Sequence, residues 1–296
     1  MLVEAGASDV FLAYSMVGPN IQRAARFVQQ YSQVTFSVTA DHPRPIQQLG
    51  QAMVATGCTI QVLLDIDTGQ HRTGVEAGSG AEQLYRQIEQ TDGLVAGGIH
   101  LYDGQNHQTD LEERRAAVLA GWNRVAALRD ALVAGGSSVP RIVAGGTGSF
   151  PVFAELTDPS IELSPGTCIF FDAGYGGIFP DLRFTPAGLL LTRVISRPTS
   201  DRITLDLGYK AVASDQPADR RVVFPDIPDA KLVLQNEEHL VVETSRAGDY
   251  EPGDELLAIP RHICPTSALH KQVFVVSQGK LSERWNVAAR DRWLTI

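Results

Sequence analysis

The stretch that decides the fold of this chain is Arg141-Ile-Val-Ala-Gly-Gly-Thr-Gly-Ser-Phe150. The three apolar residues after Arg141 predict a short buried strand. The glycines that follow permit a tight turn, because glycine tolerates positive φ and has no Cβ to keep a ligand away. Thr147 and Ser149 add hydroxyl groups to the exposed amides, a combination that suits an anion such as phosphate. Taken alone, the cluster fits a plain turn as well as a phosphate-binding loop.

A second stretch, Ile161-Glu-Leu-Ser-Pro-Gly-Thr167, repeats this pattern of a short strand that leads into a turn. Two consecutive strand-to-loop exits of this kind resemble the paired phosphate loops at one end of an α/β barrel.

Upstream of these two stretches, strands and helices alternate along the chain. Residues 59–65 form a nearly continuous apolar run, as expected of a strand buried on both faces of a parallel sheet. Residues 111–132 place apolar side chains on one helical stripe. Further strands are predicted at 9–14, 34–39 and 94–102, with helices at 20–31, 81–89 and after Pro43. The pattern gives six βα-type units and an α/β fold with a parallel sheet, either doubly wound or a barrel.

The pattern changes after about residue 181. Short predicted strands follow one another, separated by turns that carry Gly, Pro and Asp, and no helix is expected between them. We therefore predict an α/β domain at residues 1–183 and an all-β domain at residues 184–296.

Composition excludes several classes of partner. The formal net charge is -9 and the sequence holds no block of Lys and Arg, which argues against nucleic acid and anionic membrane. No apolar run reaches the roughly 18 residues that a spanning helix needs. Cys58, Cys168 and Cys264 are odd in number and widely spaced, so no disulfide framework is expected and a reducing cytoplasm fits.

The C-terminal part contains Pro260-Arg-His262-Ile-Cys264. In an extended segment, residues i and i+2 point the same way, so an imidazole and a thiolate would lie side by side. Such a pair suits zinc, and two protein ligands leave positions open for water or substrate. The alternative is a solvated histidine beside a buried cysteine.

Two polar stretches follow predicted strands of the α/β part, where barrel enzymes place site residues. They are Asp65-Ile-Asp-Thr-Gly-Gln-His-Arg72-Thr-Gly74 and His100-Leu-Tyr102-Asp-Gly104. Each fits a solvated turn as well, and Tyr102 could contact a cofactor ring or pack over the rim of the sheet.

Taken together in this order, the stretches resemble the D-threonine aldolase and D-serine dehydratase-like family. Its members are pyridoxal 5'-phosphate (PLP) enzymes with the alanine racemase-like fold. The matching pieces are residues 4–6 with 9–14, 65–73, 100–104, 145–149, 162–167, 208–212, 260–266 and 285–294.

The resemblance implies an N-terminal (β/α)8-type barrel that binds PLP and a β-rich domain that binds a metal. By carry-over, Arg72 and Tyr102 would flank the PLP ring, and His262 with Cys264 would bind the metal, with zinc first and Mn or Mg as alternatives. The residues implied for the phosphate are Gly146, Thr147, Gly148, Gly166 and Thr167.

The implied activity is that of a lyase on a D-3-hydroxy amino acid, with the metal beside the substrate's β-hydroxyl. There a Lewis acid helps that hydroxyl to leave, or lowers its pKa so that the Cα–Cβ bond breaks, and PLP stabilises the carbanion. Cys264 is similar to the dehydratases, since the aldolases tend to carry Asp at that position, so elimination is modestly favoured. The fold type also implies a homodimer.

The chain departs from the family at its beginning. In the family, the Schiff-base lysine lies on the first barrel strand, upstream of the segment that matches residues 4–6. The four lysines here are Lys210, Lys231, Lys271 and Lys280. We therefore predict a barrel with about six of eight units, no catalytic lysine and no lyase activity, from a mis-assigned start, a shortened chain or a degenerate paralogue.

Two other functions remain open. A non-catalytic protein that binds PLP without a covalent link is favoured by the missing lysine. An amino-acid racemase ranks below it, because racemisation needs the same lysine and gives the His262–Cys264 pair no task.

Overall fold

The computed structural model describes residues 1–291; the end of the 285–294 stretch lies outside the described residues. The chain forms two compact units, Met1–Pro165 and a second from Gly166 onward. Residues 166–183, placed by the sequence analysis in the α/β domain, thus belong to the second unit. Among residues 1–291, no helix combines the length and apolar composition that a membrane span requires.

Strands and helices alternate in the first unit. Its elements are β1 (Asp9–Ser15), α1 (Pro19–Gln30), β2 (Thr35–Ala40), α2 (Pro43–Thr56), β3 (Ile60–Ile66), α3 (Ser79–Gln90), β4 (Leu94–Leu101), α4 (Leu111–Ala134), β5 (Ile142–Ala144), α5 (Phe150–Ala154) and β6 (Ile161–Leu163).

The six strands form one parallel sheet, in which they follow one another in chain order from β1 to β6. Leu64 of β3 pairs with Ile99 of β4, which pairs in turn with Ile142 of β5. This order is that of a βα barrel, and the sheet is open, with β1 and β6 at its edges. The predicted α/β fold with six βα units is confirmed.

Local sequence explains where the main helices begin and end. The side chain of His42 accepts a hydrogen bond from Arg44 N at the start of α2, and Gly57, at φ 69°, ends that helix in a left-handed conformation. Asp110 caps α4 by accepting from Glu112 N and Glu113 N. The buried face of α4 then packs into the core with Val118, Trp122, Val125, Leu128 and Leu132.

Gly98 brings β4 close to β5. Its φ of 114° lies in the region that favours glycine, and a Cβ there would lie 2.0 Å from the carbonyl oxygen of Arg141. The register between β3 and β4 shifts beside it, and Ile99 N donates to Arg141 O at 3.0 Å. Gly98 therefore lets β4 lie close to the start of β5, and the position of the turn after β5 depends on that contact.

The side chain of Arg141 ties the sheet together near the beginning of its strands. Arg141 Nη2 donates to Ser37 Oγ at 2.8 Å and to Gln61 Oε1 at 3.4 Å. Its Nη1 lies 3.3 Å from a carboxylate oxygen of Asp9 and 3.4 Å from one of Glu162. One guanidinium thus joins side chains from β1, β2, β3 and β6.

The second unit is built mainly of antiparallel strands. Its elements are α6 (Ala173–Ile178), β7 (Leu190–Thr199), β8 (Arg202–Leu205), β9 (Val222–Val223), β10 (Lys231–Gln235), β11 (Leu240–Glu243), β12 (Glu255–Pro260), α7 (Ile263–Leu269), β13 (Gln272–Ser277) and β14 (Lys280–Asn286). Six of these strands form a sheet in the order β10-β11-β8-β7-β12-β9, and β13 pairs with β14. The predicted β-rich part is confirmed.

The expectation that no helix follows residue 181 is wrong, because α7 begins directly after His262. No side chain next to it in sequence caps this helix. Instead, Ile263 N donates to Asp172 Oδ2 at 3.0 Å, and Asp172 Oδ1 accepts from Tyr175 N at 2.9 Å in α6. The cap comes from a fully buried residue far away in sequence, so no local pattern predicts it.

Candidate functional site

The turn after β5 is held by hydrogen bonds from its own residues and from the loop after β4. Gly145, at φ 79°, donates from its N–H to Leu101 O at 3.1 Å. Ser149 Oγ accepts from Gly146 N at 3.1 Å and donates to Asp103 Oδ1 at 2.6 Å. These contacts fix the backbone of the turn at the carboxyl ends of neighbouring parallel strands.

Asp103, between Tyr102 and Gly104, is not among the predicted site residues. It is buried, and Asn106 Nδ2 donates to its second oxygen at 3.0 Å. Burial raises the pKa of this carboxyl, while the hydrogen bonds from Ser149 and Asn106 oppose that rise. The only available signal was its position between Tyr102 and Gly104 after a predicted strand.

The second turn begins next to the first. Ser164 Oγ donates to Gly145 O at 2.7 Å, and Ser164 N donates to Ala144 O at 3.1 Å. Thr147 in the first turn is buried, as Ser149 is. Gly166 and Thr167 belong to the second unit, so their sharing of an anion with the first turn stays a prediction.

Arg72 and Tyr102, predicted to flank a cofactor ring, lie in direct contact. The Arg72 Cζ atom is 4.6 Å from the centroid of the Tyr102 ring, a cation–π arrangement. One edge of the Tyr102 ring packs against the backbone of Gly146, since a Cβ at Gly146 would lie 2.9 Å from Tyr102 Cε2. The two side chains therefore lie together beside the turn, and their contact with a cofactor ring stays a prediction.

Two Asp–His pairs lie in the same unit. His100 Nδ1 is 2.7 Å from Asp65 Oδ1, both side chains are buried, and the Phe11 ring meets the imidazole edge-on at 5.4 Å. In the loop after β3, Asp67 contacts the His71 ring at 2.7 Å. Burial raises the pKa of Asp67, but hydrogen bonds from Gly69 N, from His71 N and from the His71 ring hold it below its usual value.

In the second unit, the structure brings His262 and Cys264 together, although not for the predicted reason. His262 is the extended residue that precedes α7, at φ -141°, and Cys264 lies in the first turn of that helix. The expectation of a continuous extended segment is wrong here, because the chain turns into a helix between the two residues. Their side chains are nevertheless close enough for each to shift the pKa of the other.

Two further residues surround this pair. Asp215 Oδ2 lies 2.5 Å from His262 Nδ1, a contact that the sequence analysis missed because the two residues are far apart in sequence. Thr167 Oγ1 lies 3.8 Å from Cys264 Sγ. A residue predicted to bind phosphate therefore contacts a residue predicted to bind metal.

The electrostatics of the pair follow from these contacts. The hydrogen bond to Cys264 and the carboxylate of Asp215 raise the pKa of His262 to about 9, against an opposing effect of burial. The hydrogen bond from His262 lowers the pKa of the Cys264 thiol, which burial alone would raise. Within residues 1–291, no group of three or more His, Cys, Asp or Glu side chains is arranged to hold a metal. The pair thus places one nitrogen and one sulfur atom of donor type side by side.

Family models match most of the chain. Residues 14–173 match the N-terminal domain of alanine racemase, and residues 187–276 match a putative serine dehydratase domain.

Individual relatives agree with these matches. D-threonine aldolase from an Arthrobacter species is 32% identical over 295 residues, which are 97% of this chain and 76% of that protein. The 3-hydroxy-D-aspartate aldolase of Paracoccus denitrificans is 29% identical, over 97% of this chain and 75% of its own. The crystal structure of D-threonine aldolase from Filomicrobium marinum superimposes with a TM-score of 0.90 at 30% identity, and covers 98% of this chain and 78% of that chain. The chain belongs to the D-threonine aldolase and D-serine dehydratase-like family of PLP enzymes, which have the alanine racemase-like fold.

Proposed function

We propose that this protein is a lyase that uses PLP and a divalent metal, zinc first, and acts on D-3-hydroxy amino acids. The observation that carries the proposal is that His262 and Cys264 lie side by side at the start of α7, because a racemase gives such a pair no task. The names of the Arthrobacter and Paracoccus aldolases support the same substrate class.

For the cofactor phosphate we propose the turn after β5, with Gly146, Thr147 and Gly148. The residues present fit an anion there, because Thr147 brings a hydroxyl to a glycine-rich turn at the carboxyl end of β5. Gly166 and Thr167 are proposed as further phosphate ligands on the resemblance, and a Cβ at Gly166 would meet nothing within 4 Å.

For the cofactor ring we propose the surface formed by Arg72 and Tyr102. PLP, when bound, supplies an electron sink for the carbon beside the substrate's amino group. In this chain, Tyr102 offers a flat apolar face, and Arg72 keeps a positive charge next to it. The buried Asp65–His100 pair holds its imidazole in one orientation in the same unit.

For the metal we propose His262 and Cys264. An imidazole nitrogen and a thiolate sulfur suit zinc, and a metal with two protein ligands keeps positions for water and a substrate hydroxyl. The role of the two side chains is to present these donors from the rigid start of a helix. Thr167, in contact with Cys264, would limit the space on one side of the sulfur.

Two reactions fit this arrangement. Cleavage of the Cα–Cβ bond would give glycine and an aldehyde, whereas elimination of the β-hydroxyl would give ammonia and a 2-oxo acid. The aldolase names of the relatives support cleavage. Cys264, by its likeness to the dehydratases, supports elimination, so the products must be measured.

A second candidate, non-covalent binding of PLP without turnover, is favoured by the position of the lysines. All four follow residue 200. Lys210 is exposed and lies 3.4 Å from Glu237 and 3.1 Å from Glu238, so it is held by carboxylates on the surface. We therefore propose that PLP bound by these 296 residues is held without a covalent link to any of the four lysines.

The test begins with the purified protein, PLP and Zn²⁺. We expect PLP to bind, to be removed by dialysis and to resist borohydride fixation, because fixation needs a lysine at the cofactor. A borohydride-stable adduct would overturn the non-covalent arrangement and identify its lysine by peptide mapping.

The lyase proposal is tested by adding a small primary amine, which can supply the amino group that the four lysines do not bring to PLP, together with D-threonine or D-serine. We expect products from the D isomers and far less from the L isomers. Glycine with acetaldehyde would assign cleavage, and 2-oxobutanoate or pyruvate with ammonia would assign elimination. Bound PLP with equal, background product from both isomers would overturn the lyase proposal.

Two further proposals concern the cellular compartment and the oligomeric state of the protein. Cys58, Cys168 and Cys264 form no disulfide bond, which supports a reducing compartment, the cytoplasm. A homodimer is proposed on the family resemblance and is checked by sedimentation.

A further inference from the structure

Asp215 contacts His262 of the proposed metal site, but the proposed function assigns it no role. It lies in the connection between β8 and β9, and its Oδ2 atom is 2.5 Å from Nδ1 of His262. Each of the two side chains is 38% exposed. A carboxylate at a surface is readily hydrated. Its contact with one ring nitrogen of His262 therefore needs a structural cause.

That cause is found on both sides of Asp215. On one side, Thr266 joins the loop to α7, because its buried hydroxyl accepts from Ala213 N at 3.2 Å and donates to His262 O at 2.8 Å. On the other side, Arg221 Nε donates to Gln216 O at 2.9 Å. Hydrogen bonds thus fix the backbone that carries Asp215 relative to the residue that it contacts.

The contact determines which nitrogen of the imidazole is free. With the carboxylate on Nδ1, one proton stays at Nδ1, and Nε2 is the nitrogen that a metal would engage by displacing its proton. The carboxylate also fixes the rotation of the ring. Histidines that bind metals commonly donate their second ring N–H to a carboxylate, and loss of that partner typically weakens metal binding.

We propose that Asp215 is a positioning residue, which orients the His262 ring for a divalent metal held by His262 and Cys264 and does not itself bind the metal. This inference rests on the proposed function, because it presupposes a metal at that pair.

The experiment measures Zn²⁺ affinity of the full chain by competition with a chromophoric chelator, which needs neither PLP nor turnover. Asp215→Ala is expected to weaken Zn²⁺ binding about 10- to 100-fold. Asp215→Asn keeps an oxygen that can accept from Nδ1–H, so we expect it to restore most of the affinity. The matched control is Asp219→Ala, which removes a carboxylate from the same loop, where Asp219 pairs with Arg220 and is 63% exposed.

The outcomes separate the inference from the function on which it rests. If the wild type binds Zn²⁺ no better than His262→Ala, the proposed metal site fails. If the wild type binds but Asp215→Ala binds equally well, the positioning role is overturned. If Asp215→Asn binds as weakly as His262→Ala, Asp215 acts as a ligand or through its charge, which also overturns the inference. Equal far-UV circular dichroism of the metal-free variants excludes a loss of folding.

Discussion

Ser149 and Asp103 form a buried hydrogen bond of 2.6 Å between the turn after β5 and the loop after β4. Because the same hydroxyl accepts from Gly146 N, the pair determines the conformation of the turn that we propose to bind phosphate. The carboxylate also lies near the proposed position of a dianion, where burial already raises its pKa.

We predict that Ser149→Ala weakens the binding of PLP. The change leaves Gly146 N and one oxygen of Asp103 without this hydrogen-bond partner. For buried groups, the turn then loses about 1–3 kcal/mol of stabilising free energy. Titration of PLP by difference absorbance measures the effect. The control is Ser137→Ala, which removes an exposed hydroxyl bound to Glu89, and equal affinities of the two variants would contradict the prediction.

Replacement of Tyr102 should separate the roles of its ring and its hydroxyl. Tyr102→Phe retains the face under Arg72 and the packing on Gly146, so we expect PLP affinity close to that of the wild type. Tyr102→Ala removes both contacts and should bind PLP at least about tenfold more weakly, given the value of aromatic contacts. A similar loss in both variants would assign the effect to the hydroxyl.

The Arg141 side chain should contribute to the stability of the sheet. Arg141→Met leaves Ser37 and Gln61 without a donor from the guanidinium and removes its charge from Asp9 and Glu162. We expect a loss of about 1–3 kcal/mol in the free energy of unfolding, measured by urea denaturation. Arg44→Met, at an exposed position, is the control and should cost less than about 0.5 kcal/mol.

Gly98→Ala should destabilise the protein more than Gly6→Ala. Both glycines have positive φ, 114° and 94° respectively, so both variants acquire similar backbone strain. Only at Gly98 would the new methyl group meet an atom closely, the carbonyl oxygen of Arg141, whereas a Cβ at Gly6 has nothing within 4 Å. The difference between the two melting temperatures measures the clash, and equal values would refute it.

Asp158 should give the protein part of its acid sensitivity. Hydrogen bonds from Ser160 and Arg129 outweigh the effect of burial and lower its pKa from 3.8 to about 2. A depressed pKa in the folded state adds stability that is present above about pH 4 and is lost as the pH falls through about 2. The stability difference between wild type and Asp158→Asn should therefore shrink from about pH 5 to about pH 3. Asp130→Asn, at a 70% exposed carboxylate that also contacts Arg129, should show little change.

Much of the fold could be predicted because its determinants are local. The apolar run of β3, the caps of α2 and α4 and the glycine turn after β5 each lie within a few residues of the structure that they specify. The features that escaped prediction depend on distant partners. Helix α7 is capped from Asp172, and His262 is contacted by Asp215, neither of which is visible in a window of sequence.

The candidate site, too, could be predicted only where its features depend on residues close together in sequence. The types and spacing of its residues indicated His262 and Cys264, and the structure brings their side chains together. That Arg72 lies on the ring of Tyr102 could not be predicted, because the angle at which two loops leave a sheet is set by packing and not by the loops themselves.

Asp172 accepts hydrogen bonds from the first turns of two helices, one to each of its oxygens. The segment that carries His262 and Cys264 therefore does not specify its own conformation. If residues 260–269 were transplanted into another scaffold, the helix would lose the acceptor that specifies its first residue, and the spacing of imidazole and thiol would no longer be defined. An engineer who wishes to move this pair must move the aspartate with it.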